Sequence, residues 1–277
     1  MPLARTADLV SAAYRAGTGV VAFNVITLEH AEGIVAGAER AGSPVILQIS
    51  ENAVKFHRGQ LRPIAVATAA VAAHSTIAAS VHLDHVEDID LLRTIVETGS
   101  SSAMFDASKL DYAENVAATR AAVEWAHDHG LYMEAELGEV GGKGGAHTPG
   151  VRTDPAQAVS FVEATGVDAL AVAVGSSHAM ATRTAALDFE LIARLRSMVP
   201  VPLVLHGSSG VADEDLRKAV AAGITKINVG TLLNVHYTRA VRNHLATEDA
   251  ASDPRRYLAA ARDAVADAVA GMIATVN

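Results

Sequence analysis

Residues 201–231 read VPLVLHGSSGVADEDLRKAVAAGITKINVGT, and this stretch decides how the chain is read. Residues 201–207 are an apolar run of strand length that ends in His206 and Gly207. Residues 213–222 read as a helix, and Gly223 falls where that helix would stop. Residues 225–230 are a second strand, ending in Asn228, Val229 and Gly230. The strands are near-continuously apolar rather than alternating, as strands of a parallel sheet buried on both faces should be. The unit is strand, helix, strand, with polar groups gathered where each strand ends.

Working outward, the same unit recurs along the chain. The other apolar runs are GVVAFN (19–24), PVILQIS (44–50), ASVHLD (79–84), SSAMFDA (101–107), LYMEAELG (131–138) and DALAVAVG (168–175). Helical segments are expected over 29–41, 61–74, 87–98, 111–129, 154–165, 187–198 and 231–246. Asp154-Pro155-Ala156-Gln157 is a start signal, because Asp can cap, Pro fits the first helical position and Gln can bond back. Gly42, Gly99, Gly130 and Gly166 each mark a helix end. Eight alternations with no interruption long enough for another domain predict an α/β fold, a (β/α)8 TIM barrel spanning residues 1–277 as one domain. Residues 254–276 add a C-terminal helix with Leu258, Ala261, Val265, Val269 and Ile273 on one side. The alternative, an open doubly wound sheet, lacks its glycine fingerprint after the first strand, where the chain reads AFNVITLEH.

Composition narrows the partners. Half of the 277 residues are hydrophobic, enough for a sizeable core, and the net charge is −9 with no basic block. Nucleic acid and anionic membrane are therefore not expected partners. An anionic substrate is compatible, because a local site can oppose the global sign. The absence of cysteine removes disulfides and thiolate chemistry, so a zinc site must use His and carboxylate. It also fits a reducing compartment. The N-terminus has no apolar signal core. Residues 63–83 lack Asp, Glu, Lys and Arg, but they are Ala-rich, hold His74, Ser75 and His82, and divide into a helix and a strand. The expectation is a soluble cytoplasmic protein.

A barrel places its chemistry at the C-terminal strand ends. Those ends offer Asn24, Ser50, Asp84-His85, Asp106, Glu134 and Glu136, Ser176-Ser177-His178, His206 through Ser209, and Asn228 through Thr231. Three of the twelve histidines, His85, His178 and His206, are strand-end residues, and with Glu136 they form a candidate His/carboxylate zinc set. Glu134 and Glu136 should point the same way, one toward a metal and the other supporting it or paired with a cation inside the barrel. Asp106 is read either as a metal ligand or as the cap of the following helix. The loops HGSSGV and NVGT bring backbone N–H groups of Gly207, Ser208, Ser209, Gly230 and Thr231 near helix starts, an anion cradle where barrels often hold phosphate. The glycine-rich segment 138–155 is either a lid over the site or a plain connector.

These residues sit in motifs that resemble class II, metal-dependent ketose-bisphosphate aldolases of the fructose/tagatose-bisphosphate type. The motifs are AFN (22–24), HLDH (82–85), MFDAS (104–108), EAELGEVGG (134–142), TGVDALAVAVGSSH (165–178), PLVLHGSSG (202–210), KINVGT (226–231) and DPRRYL (253–258). The resemblance implies Zn2+ on His85, His178 and His206, with Glu136 an exchanging ligand and a monovalent cation as a second candidate cofactor. It implies that Asp84 is the acid/base at the substrate C4 hydroxyl. It further implies that Gly207, Ser209 and residues 228–231, Val229 included, hold dihydroxyacetone phosphate. The partner is then a small phosphorylated sugar of central carbohydrate metabolism such as glycolysis, and the assembly a homodimer or homotetramer.

The chain departs from the family pattern in three places. The acid that usually follows the glycine pair is missing from Gly142-Lys143-Gly144-Gly145-Ala146-His147, leaving His147 or Glu139 as the expected catalytic substitute. Ala179 stands where a glycine usually follows the second zinc histidine, at a substrate-contacting position. No single arginine is marked as the distal phosphate binder, with Arg255, Arg256 and Arg262 as candidates. Rival readings are a metal-dependent sugar-phosphate isomerase or epimerase and a non-catalytic ligand-binding barrel. A zinc hydrolase of the His-x-His barrel type is disfavoured, since the first strand has no such pair.

Overall fold

A computed structural model describes residues 3–137, 152–177, 182–248 and 250–277. Eight parallel strands close into a barrel in sequence order, β1 pairing with β8. They are β1 (Val20–Asn24), β2 (Val45–Ser50), β3 (Ala79–Val86), β4 (Ser102–Phe105), β5 (Tyr132–Glu136), β6 (Ala169–Ala171), β7 (Leu203–Leu205) and β8 (Ile224–Val229). The helices are α1 (Thr6–Ala16), α2 (Leu28–Ala41), α3 (Glu51–Phe56), α4 (Leu61–Ala73), α5 (Ile89–Arg93), α6 (Tyr112–Asp128), α7 (Pro155–Thr165), α8 (Phe189–Met198), α9 (Asp213–Ala222), α10 (Thr231–Thr247) and α11 (Pro254–Val276). The (β/α)8 TIM barrel and the extra C-terminal helix expected from the sequence are both present. Among the described residues no helix is long and apolar enough to cross a membrane.

Two helices lie outside the eightfold reading. α1 plugs the N-terminal end of the barrel. Its Leu9, Val10 and Ala13 pack on the inward-facing Val20, Ala22, Ile46, Met104, Tyr132, Ala169, Ala171 and Val204. This inner cluster is separate from the larger core between strands and helices, which holds the outward-facing Val21, Phe23, Leu47, Val81 and Leu83. Period-two alternation splits each strand between these two compartments. α3 starts directly after β2, and Ser50 Oγ caps it by accepting from Ala53 N at 3.2 Å. The expected helix over 87–98 is α5 followed by a tighter turn, Thr94–Glu97.

α11 closes the ring of outer helices. It packs against α2 on one side and α9 on the other, and covers the outer face of β1. α10, the formal partner of β8, packs on α11 and buries only Leu233. The close approach of α2 and α11 depends on two glycines. A Cβ at Gly33 would lie 2.7 Å from Arg262 O, and one at Gly37 would lie 2.5 Å from Ala266 O. At the predicted start signal, Asp154 does cap α7, its Oδ1 accepting from Gln157 N at 2.8 Å.

Candidate metal and active site

Neighbouring residues on a regular strand point to opposite faces, so Asp84 and His85 should not both face the barrel mouth. The structure reconciles them with a bulge. The β3–β4 register shifts between Leu83 and Val86, and His85 has φ +50°. That left-handed conformation is uncommon outside glycine and persists only where the surroundings enforce it. Both side chains consequently line one cavity. His85 is held there by Asp106, whose Oδ2 lies 2.9 Å from Nδ1. The other Asp106 oxygen accepts from Ser108 N at 3.2 Å and Ser108 Oγ at 2.6 Å. Asp106 therefore does not cap α6, whose N-cap residue is Asp111. It orients an imidazole and closes the turn after β4.

His206 stands edge-on to His85, with ring centroids 4.5 Å apart. Its Nδ1 is 3.1 Å from Glu136 Oε2, and both side chains are fully buried. Two sets of donor atoms each fall within 4.8 Å of one another: Asp84, His85 and His206, and His85, Asp106 and Glu136. Predicted site residues Glu139, His147, His178 and Ala179 lie outside the described residues. The donors present fit zinc. With Asp106 on Nδ1, His85 keeps Nε2 for a metal, an arrangement in which the carboxylate raises ligand basicity. Imidazole and carboxylate oxygen are both zinc ligands. Charge points the same way. Asp84, Asp106, Glu134 and Glu136 are all buried at this end of the barrel, and Lys226 is paired with one of them. A divalent cation would offset much of the rest.

Glu134 and Glu136 both face inward but have different partners. Glu134 Oε2 receives a hydrogen bond from Lys226 Nζ at 2.8 Å, and neither side chain is exposed. This is the internal ion pair that the sequence offered as one of two readings. Burial pushes the Glu134 carboxyl up, and the Lys226 ammonium pulls against that rise. His82 is fully buried alongside, its Nε2 3.8 Å from Glu134 Oε2 and 3.9 Å from Asp84 Oδ1. Burial, reinforced by Lys226 and His85, holds its pKa well below the ordinary imidazole value, so the ring is neutral.

The cavity has a volume of about 150 Å3. Of the predicted residues it brings together Asn24, Asp84, His85, His206, Gly207, Ser209, Asn228, Gly230 and Thr231. Ser177, one of the strand-end residues, lines it too, as do Gln48 and Asn234, neither of which was selected from the sequence. Gln48 could have been found by counting two residues back from Ser50 along β2. Asn234 lies in the first turn of α10 and carries no sequence signal. Asp84 is cradled by amides: Gln48 Nε2 is 3.4 Å from Oδ2, and Asn228 Nδ2 is 3.4 Å from Oδ1. Gln48 Nε2 also donates to Asn24 Oδ1 at 2.6 Å.

The two glycine-bearing loops converge as expected. Gly207 has φ +69°, and a Cβ there would lie 2.4 Å from Ser177 O, so glycine is required for the approach of the loops after β6 and β7. Ser209 Oγ accepts from Leu232 N at 3.1 Å, tying the loop after β7 to the start of α10. The N-cap residue Gly230 has no side chain of its own to cap that start, and helix N-termini attract anions.

Other predicted residues are placed elsewhere. Ser50 caps α3 instead of lining the cavity. Ser208 Oγ is turned inward to Leu205 O at 3.1 Å. The Val229 side chain packs in the outer core. Arg256 pairs with Glu248 at 2.6 Å, away from the cavity lining.

The sequence model of class II fructose-bisphosphate aldolases matches residues 4–277. The chain belongs to the class II fructose-bisphosphate aldolase family. Among solved structures, it is similar to the YdjI aldolase of Escherichia coli K12, with 32% identity and a TM-score of 0.86 over 99% of this chain and 97% of that one. It is also similar to a candidate fructose-1,6-bisphosphate aldolase from Coccidioides immitis, with 28% identity and a TM-score of 0.85 over 99% and 97%. A fructose-bisphosphate aldolase of Campylobacter jejuni, 20% identical with a TM-score of 0.79 over 98% of this chain and 93% of that one, shares the fold. This class II aldolase is a lyase that cleaves a ketose phosphate.

Proposed function

We propose that the protein is a zinc-dependent aldolase that reversibly cleaves a phosphorylated ketose, of the fructose or tagatose 1,6-bisphosphate type, into dihydroxyacetone phosphate and an aldehyde. One observation carries the reading. Asp84, a proton-transfer group, shares a cavity with the imidazoles of His85 and His206, and residues of the loops after β7 and β8 line the same cavity. His85, His206 and Glu136 would hold the metal, with His178 as the further ligand. When bound, zinc polarises the ketone carbonyl and offsets the negative charge that develops as the carbon–carbon bond breaks.

The protein's own groups do the rest. Asp84 takes the C4 hydroxyl proton as the C3–C4 bond breaks, and returns it in the reverse direction. Gln48 and Asn228 fix the carboxylate plane, so the acceptor oxygen is already placed when substrate arrives. Gly207, Ser209, Gly230 and Thr231 seat the phosphate at the start of α10. Asn24 packs over Gly230, where a Cβ would lie 3.1 Å from its side chain, so a larger residue there would have to displace Asn24 by a few tenths of an ångström. His147 or Glu139 is assigned the carbon-bound proton of dihydroxyacetone phosphate. A homodimer or homotetramer belongs to the same proposal, supported by α10, which buries only Leu233 and leaves Val235 and Leu245 exposed.

The test is a cleavage assay over a panel of ketose mono- and bisphosphates, before and after chelation and after zinc is restored. Cleavage that disappears with zinc and returns with it supports the proposal. Interconversion of sugar phosphates without dihydroxyacetone phosphate would replace it with an isomerase or epimerase.

A further inference from the structure

One buried acid has no part in the reaction as described. Glu51, the first residue of α3, is 7% exposed, yet it stands outside the cavity lining. A carboxylate is costly to bury and persists inside a protein only with hydrogen-bond or ionic partners. Two of its partners are backbone amides just beyond the strand that carries Asp84 and His85.

β2 ends at Ser50, whose register partner is Asp84, and turns directly into α3, while β3 continues to Val86. Where this strand pairing stops, a side chain takes over. Glu51 Oε2 accepts from Glu87 N at 2.7 Å and from Asp88 N at 3.3 Å. Its other oxygen, Oε1, lies 2.7 Å from Lys55 Nζ, one turn along α3. Burial favours the neutral acid, but the Lys55 contact and the two amides outweigh it and hold the Glu51 carboxyl below its usual value. Hydrogen bonds to an ionised acceptor are the stronger kind. On the β4 side, Val86 O accepts from Asp106 N at 2.8 Å. The Glu87 carboxylate is paired with Lys109, in the loop after β4, at 2.9 Å. The segment that follows the left-handed His85 is thus gripped from both neighbouring strand ends.

We propose that Glu51 is a positioning residue for the metal-binding imidazole of His85. By holding the amides two and three residues beyond His85, it keeps the chain in the bulge that turns this ring into the cavity beside Asp84. A φ of +50° is uncommon for a residue with a side chain, and it persists where the surroundings hold it. Asp106 orients the ring, and Glu51 fixes the backbone that carries it. Glu51 acts through His85 alone. The inference rests on the proposed zinc reading, in which His85 supplies a ligand, and adds to it a residue from the connection after β2.

Zinc affinity and the visible spectrum of bound Co2+ test this, because both report on His85 and neither requires turnover. Affinity is measured by chelator competition on the intact protein, and urea unfolding of the zinc-free protein records stability beside it. Glu51→Ala is expected to bind zinc about 10-fold more weakly than wild type, the lower end of the range for groups that support a metal ligand, and to shift the Co2+ absorption bands. Glu51→Gln, whose amide oxygen can still accept from Glu87 N, is expected to recover most of the affinity and the wild-type spectrum. If Glu51→Ala does not fold, Glu51→Asp replaces it. Its carboxylate stops one methylene short of the amides, and the same spectral shift with a smaller loss of affinity is expected. A folded Ala or Asp variant with wild-type affinity and spectrum overturns the inference, even if it is destabilised, since that is the mark of a merely structural role. So does a loss that Glu51→Gln leaves unrecovered, because holding the amides would then not be what matters. Wild-type protein that binds no zinc sinks the metal reading and this inference with it, whereas zinc-binding wild type matched by the variants sinks the inference alone.

Discussion

His85 Nδ1 and Asp106 Oδ2 are 2.9 Å apart, and this contact joins the bulged end of β3 to the loop after β4. It selects which imidazole nitrogen faces the donor cluster and offsets the strained backbone of His85. Asp106→Asn removes the carboxylate while keeping its shape. Zinc affinity is expected to fall about 10- to 100-fold, the usual effect of removing a carboxylate behind a metal-binding histidine. Competition with a chromophoric chelator measures it, and an unchanged affinity would mean that Asp106 serves the turn alone.

Asp84 can be separated from the metal donors by the same measurement. Asp84→Asn keeps the shape and one of the two amide contacts, from Gln48 or Asn228, since its single oxygen can accept from only one of them, and it cannot accept a proton. Cleavage kcat is expected to fall by about 100- to 10,000-fold, the range for loss of a general acid–base group, with zinc content near wild type. Substantial residual cleavage would move the proton acceptor elsewhere.

Gly207 and Gly42 form a natural comparison, since both have positive φ, +69° and +61°, but only Gly207 faces backbone at 2.4 Å. Gly42→Ala adds a Cβ into open space and should cost about 1 kcal/mol, the left-handed penalty alone. Gly207→Ala must also push the Ser177 backbone away. It should raise KM for phosphorylated substrate markedly and destabilise the fold by a further 1–3 kcal/mol or so. Urea unfolding and steady-state kinetics on both variants separate the two effects.

The seam between α2 and α11 predicts a purely structural defect. In Gly37→Val the new side chain starts 2.5 Å from Ala266 O and 2.7 Å from Val269 Cβ. Overpacking of this kind costs roughly 1–3 kcal/mol or more. The thermal midpoint should drop while the zinc content of the folded fraction stays unchanged.

His30 supplies a pH dependence. It is stacked flat on Tyr237 at 4.5 Å, and Thr27 Oγ1 is 3.1 Å from its Nδ1. Burial lowers its pKa from 6.5 to about 4. The folded state therefore resists protonation while the unfolded chain accepts it below 6.5. The stability from this site is complete above pH 6.5 and is lost as pH falls from there toward 4, in total on the order of 3 kcal/mol. His82, also held neutral by burial, acts in the same direction. His30→Phe should flatten the fall in thermal midpoint between pH 7 and 4.5 without abolishing it. An unchanged slope would show that His30 is not a source of it.

Much of the barrel was legible because its signal is local. Parallel strands covered on both faces must be apolar throughout, and helices between them must stop, so Gly42, Gly166 and Gly223 punctuate the chain visibly. α1 and α3 were missed for opposite reasons. α1 belongs to no strand–helix repeat, and its apolar residues serve the barrel floor. α3 follows β2 without a break, its cap being the last strand residue, Ser50.

The sequence by itself determined the residue types at the strand ends, and with them the chemistry: Asp84, His85, Asp106, Glu136 and His206 are in the right order to meet at one rim once the barrel closes. It could not determine which of them meet, because partners such as His85 and Asp106, or Glu136 and His206, are chosen by strand register and by one residue with positive φ. Nor could it separate Glu134 from Glu136, which are identical in type and in the face they share. Tertiary structure decided that, since Lys226 lies one layer below the mouth and His206 lies at it. Distances of a few ångströms across a closed sheet, absent from any linear pattern, divide the two acids between an internal ion pair and the donor cluster.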